Sequence, residues 1–334
     1  MKTYIIAEAG VNHNGQLDLA LKLCDAAKEA GVDCVKFQTW KTENICTASA
    51  AMAAYQKENI QTEAASQFEM LKRLELSYDH FEYIKQYCKK IGIDFLSTPD
   101  EEESLEFLMN RLQLPLIKIG SGEVTNIPYL RKMASYGKPI ILSTGMSNIA
   151  QVATAYDTLI KAGAPSIALL HCTTNYPCPM DEVNLRAMQT LKDAFKCKVG
   201  YSDHTMGIEI PIAAVAMGAE IIEKHFTLDR TMDGPDHKAS LEPVELKQMV
   251  QSIRNIEQAL GDGIKRPNKS EEANAKVVQK SILAKCPIKK GDTLTEDNLT
   301  VKRAGTGISS VHWDVVVGTI AKRDFEIDEP IVFE

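Results

Sequence analysis

The sequence predicts an α/β protein, a (β/α)8 barrel followed by a small β-rich domain. Short apolar segments alternate with amphipathic helical segments from Tyr4 to about Leu260, and there are eight of the apolar segments. Eight such units over about 250 residues match the size of a (β/α)8 barrel. A doubly wound open sheet is the alternative, but the G-x-G-x-x-G pattern of a dinucleotide site does not follow the first strand.

The predicted strands are short apolar runs that end in polar residues, at 4–9, 34–39, 94–98, 116–120, 139–143, 167–172, 198–202 and 220–226. Helix spacing is clearest in two segments that stop at Gly31 and Gly261, because glycine often follows the last turn of a helix. The apolar residues that share a face are Leu17, Ala20, Leu21, Cys24 and Ala27 in the first segment, and Leu246, Met249, Val250, Ile253, Ile256 and Leu260 in the second.

The composition changes after the last of these helices, which predicts a catalytic barrel at 1–261, a linker at 262–275 and a small domain at 276–334. The stretch 265–274 is polar and lacks apolar periodicity, as is typical of a linker. In the small domain, segments 282–285 and 290–294 are echoed 37 positions later at 319–322 and 327–331. This echo indicates a compact repeat, although two unrelated strand–turn–strand pieces would also explain it.

Composition excludes several classes of protein. No apolar run approaches the ~18 residues that span a bilayer, and the net charge of −7 disfavours nucleic acid as a partner. The first residues lack the basic and apolar stretches of a signal peptide, so we expect a cytoplasmic enzyme. The eight cysteines form no C-x-x-C pair, so neither a disulfide framework nor a structural zinc site is expected. There is also no glycine-rich phosphate loop.

Polar residues end nearly every predicted strand, and active sites of (β/α)8 barrels lie at that end of the strands. Buried charges cost several kcal/mol each without partners or ligands, so charges inside apolar strands indicate a functional site. The residues concerned are Glu8, Lys36, Gln38, Ser97, Thr98, Lys118, Ser121, Glu123, Ser143, Thr144, His171, Ser202, Asp203, His204, Glu223, Lys224 and His225.

His204 and His225 are the candidate metal ligands, because neighbouring strands bring their imidazoles to one rim. Histidine with oxygen ligands suits Mn²⁺ or a similar divalent ion. The alternative is a pair of hydrogen-bonded core histidines. His171 is either a third rim group or a packing residue.

Lys36 and Lys118 lie inside predicted strands and together suggest a site for phosphate or carboxylate. Hydroxyl groups that could donate to such an anion are those of Ser121, Ser143, Thr144 and Ser202. Glu8 and Glu123 are candidate acid/base groups. Their structural alternative is a buried salt bridge with Lys36 or Lys118.

Eight segments together resemble the sialic acid synthase family, which includes N-acetylneuraminate and legionaminate synthases. They are 7–15 (AEAGVNHNG), 35–38 (VKFQ), 96–99 (LSTP), 118–123 (KIGSGE), 142–146 (LSTGM), 201–204 (YSDH), 223–226 (EKHF) and 234–240 (GPDHKAS). From about Lys276 the chain is similar to the family's SAF (antifreeze-like) domain, with Lys302, Arg303 and the segment 305–309 (GTGIS) in the expected place.

The resemblance implies an enzyme that condenses phosphoenolpyruvate with an N-acylated amino-sugar aldehyde and water, giving a nine-carbon 2-keto acid and phosphate. N-acetylmannosamine, giving N-acetylneuraminate, is the expected sugar. The alternative is 2,4-diacetamido-2,4,6-trideoxymannose, giving N,N'-diacetyllegionaminate. Two hypotheses from other classes remain: a metal-dependent barrel aldolase or hydrolase, with a Schiff base at Lys118 or Lys224 if an aldolase, and a binding protein whose SAF module recognises a polymer or ice surface.

The resemblance also implies roles for individual residues. The implied catalytic groups are Glu8, Glu123 and Lys118. The implied phosphoenolpyruvate ligands are Lys36, Thr98, Lys118, Ser121, Ser143 and Ser202. The implied sugar ligands are Gln38, Glu123, Tyr176, Asp236 and the partner's Arg303. His204 and His225 would hold Mn²⁺, with Mg²⁺ or Co²⁺ as alternatives. Because the SAF domain of this family covers the partner's barrel, the resemblance implies a domain-swapped homodimer.

Four positions depart from the family pattern: Asp100 replaces a common Phe, Gly120 a Pro, Asn175 a Glu and Asp233 a small residue. They lie around the sugar end of the predicted site, so the sugar stays open between the two alternatives.

Overall fold

The computed structural model describes residues 2–60 and 66–332. The chain forms two compact units, Met1–Gly261 and Asp262–Glu334.

Eight parallel strands build the first unit: β1 (Tyr4–Gly10), β2 (Cys34–Thr39), β3 (Asp94–Pro99), β4 (Ile117–Ile119), β5 (Ile140–Ser143), β6 (Ile167–His171), β7 (Lys198–Asp203) and β8 (Ile221–His225). Their hydrogen-bonded order is β3-β2-β1-β8-β7-β6-β5-β4, and the two end strands β3 and β4 contact each other. The sheet is therefore close to a closed barrel. The predicted fold class is confirmed, and every strand lies within one residue of its predicted bounds at each end.

Helices surround this sheet: α1 (Leu17–Ala30), α2 (Thr42–Ile45), α3 (Ala54–Asn59), α4 (Gln67–Leu74), α5 (Tyr78–Ile91), α6 (Glu102–Glu106), α7 (Ile127–Ser135), α8 (Ile149–Lys161), α9 (Arg186–Phe195), α10 (Glu209–Ala216) and α11 (Pro243–Ala259). A π-helical turn, Phe107–Arg111, continues α6. The end of α1 is as predicted, since Gly31 adopts a left-handed conformation with φ of 82°. Among residues 2–60 and 66–332, no helix is long and apolar enough to cross a membrane.

The barrel interior has an apolar layer and, nearer the carboxyl ends of the strands, a charged layer. The apolar layer contains Ile6, Cys34, Leu96, Ile141, Ala168, Leu170 and Ile221. Because side chains alternate along a strand, residues two positions further on face the same side. Those residues include Glu8, Lys36, Thr98, Ser143 and Glu223, all of which are buried. The alternation of side chains along each strand thus places these polar groups next to the apolar layer, on the side of the carboxyl ends of the strands.

Lys224 alternates with Glu223 and His225 and so faces the helices instead of the interior. Its Nζ lies 2.5 Å from Oδ2 of Asp203 and donates to the carbonyl oxygen of Thr205 at 2.5 Å. Both charged side chains are fully buried. The hypothesis of a Schiff base at Lys224 required this lysine at the barrel mouth, and the structure contradicts it.

The second unit begins with helix α12 (Lys269–Val278), which spans the end of the predicted linker and the start of the predicted small domain. The carboxylate of Glu271 accepts a hydrogen bond from the backbone N–H of Asn268 at 2.8 Å, and this cap fixes the start of the helix. None of its residues is buried. A helix held by its cap and local propensity leaves no apolar periodicity in the sequence, so the sequence alone did not indicate this helix.

The remainder of this unit is β-rich, as predicted. Strands β9 (Ser281–Ala284) and β10 (Leu299–Lys302) pair antiparallel, and a short helix, α13 (Trp313–Val316), follows. Isolated bridges join Ile288 to Phe325, Leu283 to Pro330 and Thr293 to Ile320. Ile288 and Phe325 are equivalent under the 37-residue repeat, and the other two bridges exchange under the same shift. The predicted repeat is therefore confirmed as an internal pseudo-twofold arrangement.

Candidate active site

One pocket at the carboxyl ends of the strands gathers most of the predicted site residues. Its lining contains Glu8, Lys36, Gln38, Thr98, Lys118, Ser121, Ser143, Tyr176, Ser202, His204 and His225. It also contains Asp100, Gly120, Gly122, Met146, Thr174 and Glu223.

Four buried charges form the base of this pocket. Nζ of Lys36 lies 2.6 Å from Oε2 of Glu8 and 3.7 Å from Oε2 of Glu223. Nζ of Lys118 lies 3.5 Å from Oε1 of Glu223, so Glu223 links the two lysines. The four side chains are each at most 5% exposed. We call this group, Glu8, Lys36, Lys118 and Glu223, the charge cluster.

Burial and the attraction between opposite charges shift the pKa values of the four groups in the charge cluster in different directions. Burial raises the pKa of Glu8, although Lys36 opposes that shift. Burial would also raise the pKa of Glu223, but Lys118 and Lys36 together hold it below its usual value. Burial lowers the pKa of Lys118, whereas Glu223 and Glu8 overcome burial and raise that of Lys36. Glu8 is thus the carboxyl group of the cluster that is easiest to protonate.

Hydroxyl groups surround the two lysines in the way that the sequence suggests for an anion site. Lys36 donates to Oγ1 of Thr98 at 3.0 Å, and Lys118 donates to Oγ of Ser143 at 2.8 Å. Oγ of Ser202 donates to Oε1 of Glu223 at 3.1 Å. Two ammonium groups and several hydroxyls at one point form a cradle suited to phosphate or carboxylate oxygens.

Three polar side chains converge beside Gly10. Nε2 of Gln38 donates to Oε1 of Glu8 at 3.0 Å. A Cβ atom on Gly10 would lie 3.3 Å from Oε1 of Glu8, 3.5 Å from Nε2 of Gln38 and 3.5 Å from Oδ2 of Asp236. With a φ of 50°, this position is also in the left-handed region that favours glycine. Glycine here leaves the space open between three groups that can bind a substrate.

His204 and His225 stand together at the rim, with ring centroids 5.3 Å apart. Nδ1 of His204 donates to the carbonyl oxygen of Thr173 at 2.6 Å, which leaves Nε2 with its lone pair. Burial lowers the pKa of both histidines, so both imidazoles are neutral. Nδ1 of His225 is buried without a hydrogen bond and lies 3.4 Å from Oδ2 of Asp236.

This donor set fits a divalent ion that keeps open coordination positions. A backbone carbonyl orienting a neutral imidazole is the usual arrangement around a histidine ligand. Within the two described ranges, 2–60 and 66–332, no three His, Cys, Asp or Glu side chains form a metal-holding group. Two imidazoles alone would leave the other positions to water and substrate.

Tyr176 packs over both histidines. Its ring centroid lies 4.2 Å from that of His204 and 5.3 Å from that of His225. The phenol ring therefore forms the wall of the pocket above the two imidazoles.

The structure does not bring every sequence-predicted residue into this pocket. Glu123 follows β4 in a 3₁₀ turn, accepts a hydrogen bond from Nδ2 of Asn126 at 2.7 Å, and lines a neighbouring acidic cavity. Nε2 of His171 contacts the carbonyl oxygen of Val183 at 2.9 Å, as a packing residue would. Arg303 is exposed and belongs to the second unit.

Two wall residues have roles that the sequence did not assign. Glu223 bridges the lysines, and its alternation with His225 is the signal that places it inside the barrel. Asp100 follows β3 and lines both the pocket and the acidic cavity. Burial raises the pKa of Asp100 to about 8, with Lys36 opposing the shift and Glu123 and Glu8 adding to it.

A barrel with two buried lysines, two histidines at its rim and a carboxyl group of raised pKa is typical of enzymes that work on anionic substrates. Comparison with known proteins gives the family. The NeuB family model matches residues 23–265, and the SAF domain model matches residues 279–334. The chain belongs to the NeuB family. It is a phosphoenolpyruvate-dependent synthase of the sialic acid type, which forms a carbon–carbon bond.

Individual relatives match along nearly the whole chain. N,N'-diacetyllegionaminic acid synthase of Campylobacter jejuni is 53% identical over 332 residues, 99% of each chain. The enzyme of the same name from Legionella pneumophila is 45% identical, covering 100% of this chain and 94% of its own. The solved structure of N-acetylneuraminic acid (sialic acid) synthetase from Leptospira borgpetersenii, in complex with citrate, is 36% identical with a TM-score of 0.72, and the match covers 83% of this chain and 91% of that one.

The pKa of Asp100 predicts a pH dependence of phosphoenolpyruvate binding. The carboxyl is neutral below pH 8 and becomes negative as the pH rises through about 8. A new negative charge beside an anion cradle repels the substrate by roughly 1 kcal/mol, which raises KM about fivefold between pH 7 and pH 9.5. Steady-state KM for phosphoenolpyruvate across this range measures the effect.

Asp100→Asn separates the effect of the Asp100 carboxyl from that of Lys118, whose pKa is lowered by burial. The variant should lose the fivefold rise, whereas Glu102→Gln in the neighbouring cavity should keep it. Identical profiles for Asp100→Asn and wild type would show that Asp100 does not titrate against the substrate.

Proposed function

We propose that this enzyme is an N,N'-diacetyllegionaminate synthase. It condenses phosphoenolpyruvate with 2,4-diacetamido-2,4,6-trideoxymannose and water, giving N,N'-diacetyllegionaminate and phosphate. The observation that carries the proposal is the full-length match to two N,N'-diacetyllegionaminic acid synthases at 53% and 45% identity. The sequence led us to expect N-acetylmannosamine, and the relatives favour the alternative sugar instead.

The charge cluster binds phosphoenolpyruvate in this proposal. Lys36 and Lys118, with Thr98, Ser121, Ser143 and Ser202, receive the phosphate and carboxylate oxygens. Their existing contacts support the assignment, because Lys36 and Lys118 already hold hydroxyl groups at 3.0 and 2.8 Å in the same pocket. Both lysines are buried, so a bound anion is screened little by solvent.

Glu8 handles the proton in this proposal. C3 of phosphoenolpyruvate uses the electron pair of its double bond to form a bond to the aldehyde carbon, which leaves C2 cationic, and the aldehyde oxygen takes the proton of Glu8 to become a hydroxyl group. A water then adds to C2. The bond from C2 to the phosphate oxygen breaks, and the ketone and inorganic phosphate result, with the second proton of the water leaving on the phosphate. Glu8 accepts the other proton of that water, and a pKa that burial raises suits a carboxyl group that both gives and takes a proton.

His204 and His225 hold a divalent cation in this proposal, with Mn²⁺ as the expected ion and Mg²⁺ or Co²⁺ as alternatives. The bound ion would polarise the sugar aldehyde as a Lewis acid. Asp236 and Gln38 stand next to Glu8, where they contact sugar hydroxyls, and Tyr176 covers the rings. Glu123 would reach the sugar from the side of Asp100, with which it lines the acidic cavity.

We also propose a domain-swapped homodimer in which the partner's Arg303 completes the site. The support is the exposed position of Arg303 in a separate compact unit that matches the SAF domain model. An exposed guanidinium group can donate to the carbonyl of an acylamino substituent.

A phosphate-release assay tests the reaction and the sugar together. The purified chain is incubated with phosphoenolpyruvate and a panel of N-acyl sugars, after chelation and then with Mn²⁺. We expect phosphate release that requires both a sugar and the metal, with kcat/KM for the trideoxy sugar about 10- to 100-fold above that for N-acetylmannosamine.

A preference for N-acetylmannosamine would return the assignment to N-acetylneuraminate synthase. Full activity after chelation would contradict the metal proposal. Trapping of pyruvate on a lysine by borohydride would favour the aldolase hypothesis at Lys118.

Complementation tests the partner's Arg303. A Glu8→Gln chain and an Arg303→Ala chain, each nearly inactive alone, are mixed, dissociated and reassembled. Half of the dimers are then mixed and hold one intact site of two, so activity should recover to about one quarter of wild type. If Arg303 served its own barrel, both sites of every dimer would carry a lesion and no activity would return.

A further inference from the structure

Helix α3 lies in the long connection between β2 and α5, and none of its residues has a predicted role. Its last residue, Asn59, is 5% exposed. Nδ2 of Asn59 donates to the carbonyl oxygen of Tyr176 at 3.1 Å and to that of Pro235 at 2.7 Å. One amide group therefore joins the loop after β6 to the loop after β8.

These two loops carry Tyr176 and Asp236, which stand at the sugar end of the pocket. Lys238, on the second loop, also donates to the carbonyl oxygen of Glu58 at 2.8 Å. Two side chains thus fasten α3 to the loop of Asp236. A displacement of α3 would move both loops.

Tyr55, on the same helix, packs against Tyr176, which lines the pocket. Its ring centroid lies 5.0 Å from that of Tyr176, which in turn lies 4.2 Å from that of His204. Tyr55 is half-buried. Burial raises the pKa of the Tyr55 phenol, and Asp236 raises it further, so the hydroxyl keeps its proton and can donate.

We propose that α3 forms one wall of the sugar subsite, with Tyr55 as a specificity-determining residue and Asn59 as a positioning residue. The inference rests on the proposed function for the identity of the sugar. The trideoxy sugar carries a second acetamido group and a methyl group where N-acetylmannosamine has hydroxyls. An aromatic ring accepts methyl groups, and a phenol hydroxyl donates to an amide carbonyl, so this wall favours the diacetamido sugar.

The test compares Tyr55→Ala and Tyr55→Phe with Lys57→Ala, an exposed position on the same helix. The measurements are kcat/KM for both sugars and KM for phosphoenolpyruvate. Tyr55→Ala should lower the preference for the trideoxy sugar about 10- to 100-fold and change KM for phosphoenolpyruvate less than about twofold. Tyr55→Phe should lose only the part of the sugar preference that the hydroxyl group provides, and Lys57→Ala should behave as wild type.

Asn59→Leu tests the positioning role, since leucine has the same branched side-chain skeleton and no amide donor. It should raise KM for both sugars about tenfold, with kcat and KM for phosphoenolpyruvate nearly unchanged. Circular dichroism confirms that each variant is folded. An unfolded Asn59→Leu would leave the decision to the Tyr55 variants.

An unchanged sugar ratio in Tyr55→Ala would overturn the inference, as would an equal rise in KM for phosphoenolpyruvate and for sugar. Failure of the proposed function gives a different result. In that case the wild-type enzyme prefers N-acetylmannosamine, and Tyr55→Ala still raises KM for that sugar if α3 forms the wall.

Discussion

The ion pairs inside the barrel constrain everything else in the site. Four charges lie next to the apolar layer, and each would cost several kcal/mol if it were left unpaired there. Glu8 pairs with Lys36, and Glu223 reaches both lysines. The lysines are thereby held in fixed positions before any substrate arrives, which is the preorganisation that an anion cradle requires. In the proposed function, a bound phosphate would compete with the carboxylates for the same ammonium groups.

The membership of this cluster could be predicted from the sequence, but its pairing could not. Strand alternation and the parallel direction of the strands place Glu8, Lys36 and Lys118 at one end of one interior. Glu8 and Lys36 are register neighbours on β1 and β2. Glu223 on β8 reaches Lys118 on β4 across the interior, and that contact depends on how the sheet curves. Strand order alone does not give such a distance.

Loops and short helices, rather than strands, position the residues at the proposed sugar end of the site. The sequence was less informative about where these residues lie. Glu123 follows its strand directly, yet a 3₁₀ turn aims it at a neighbouring cavity. Helix α3 has only six residues. It contacts the loops through the amide of Asn59 and the ring of Tyr55, and neither residue type is unusual on a surface helix. Helix α12 likewise left no apolar pattern. Under the proposed function this division has a consequence, because the strands would fix the phosphoenolpyruvate half of the site and the loops would set the choice of sugar.

Two buried lysines allow a direct measurement of the central claim that the charge cluster is the phosphoenolpyruvate site. Lys118 and Lys224 are both strand residues at most 2% exposed and both ion-paired, but Lys118 faces the pocket and Lys224 faces the helices. Isothermal titration of phosphoenolpyruvate into folded Lys118→Met and Lys224→Met compares them. The account predicts a loss of affinity of about 100-fold in Lys118→Met and wild-type affinity in Lys224→Met. Lys224→Met should instead lower the free energy of unfolding, because it leaves Asp203 buried without its partner. Wild-type affinity in Lys118→Met, or equal losses in both variants, would contradict it.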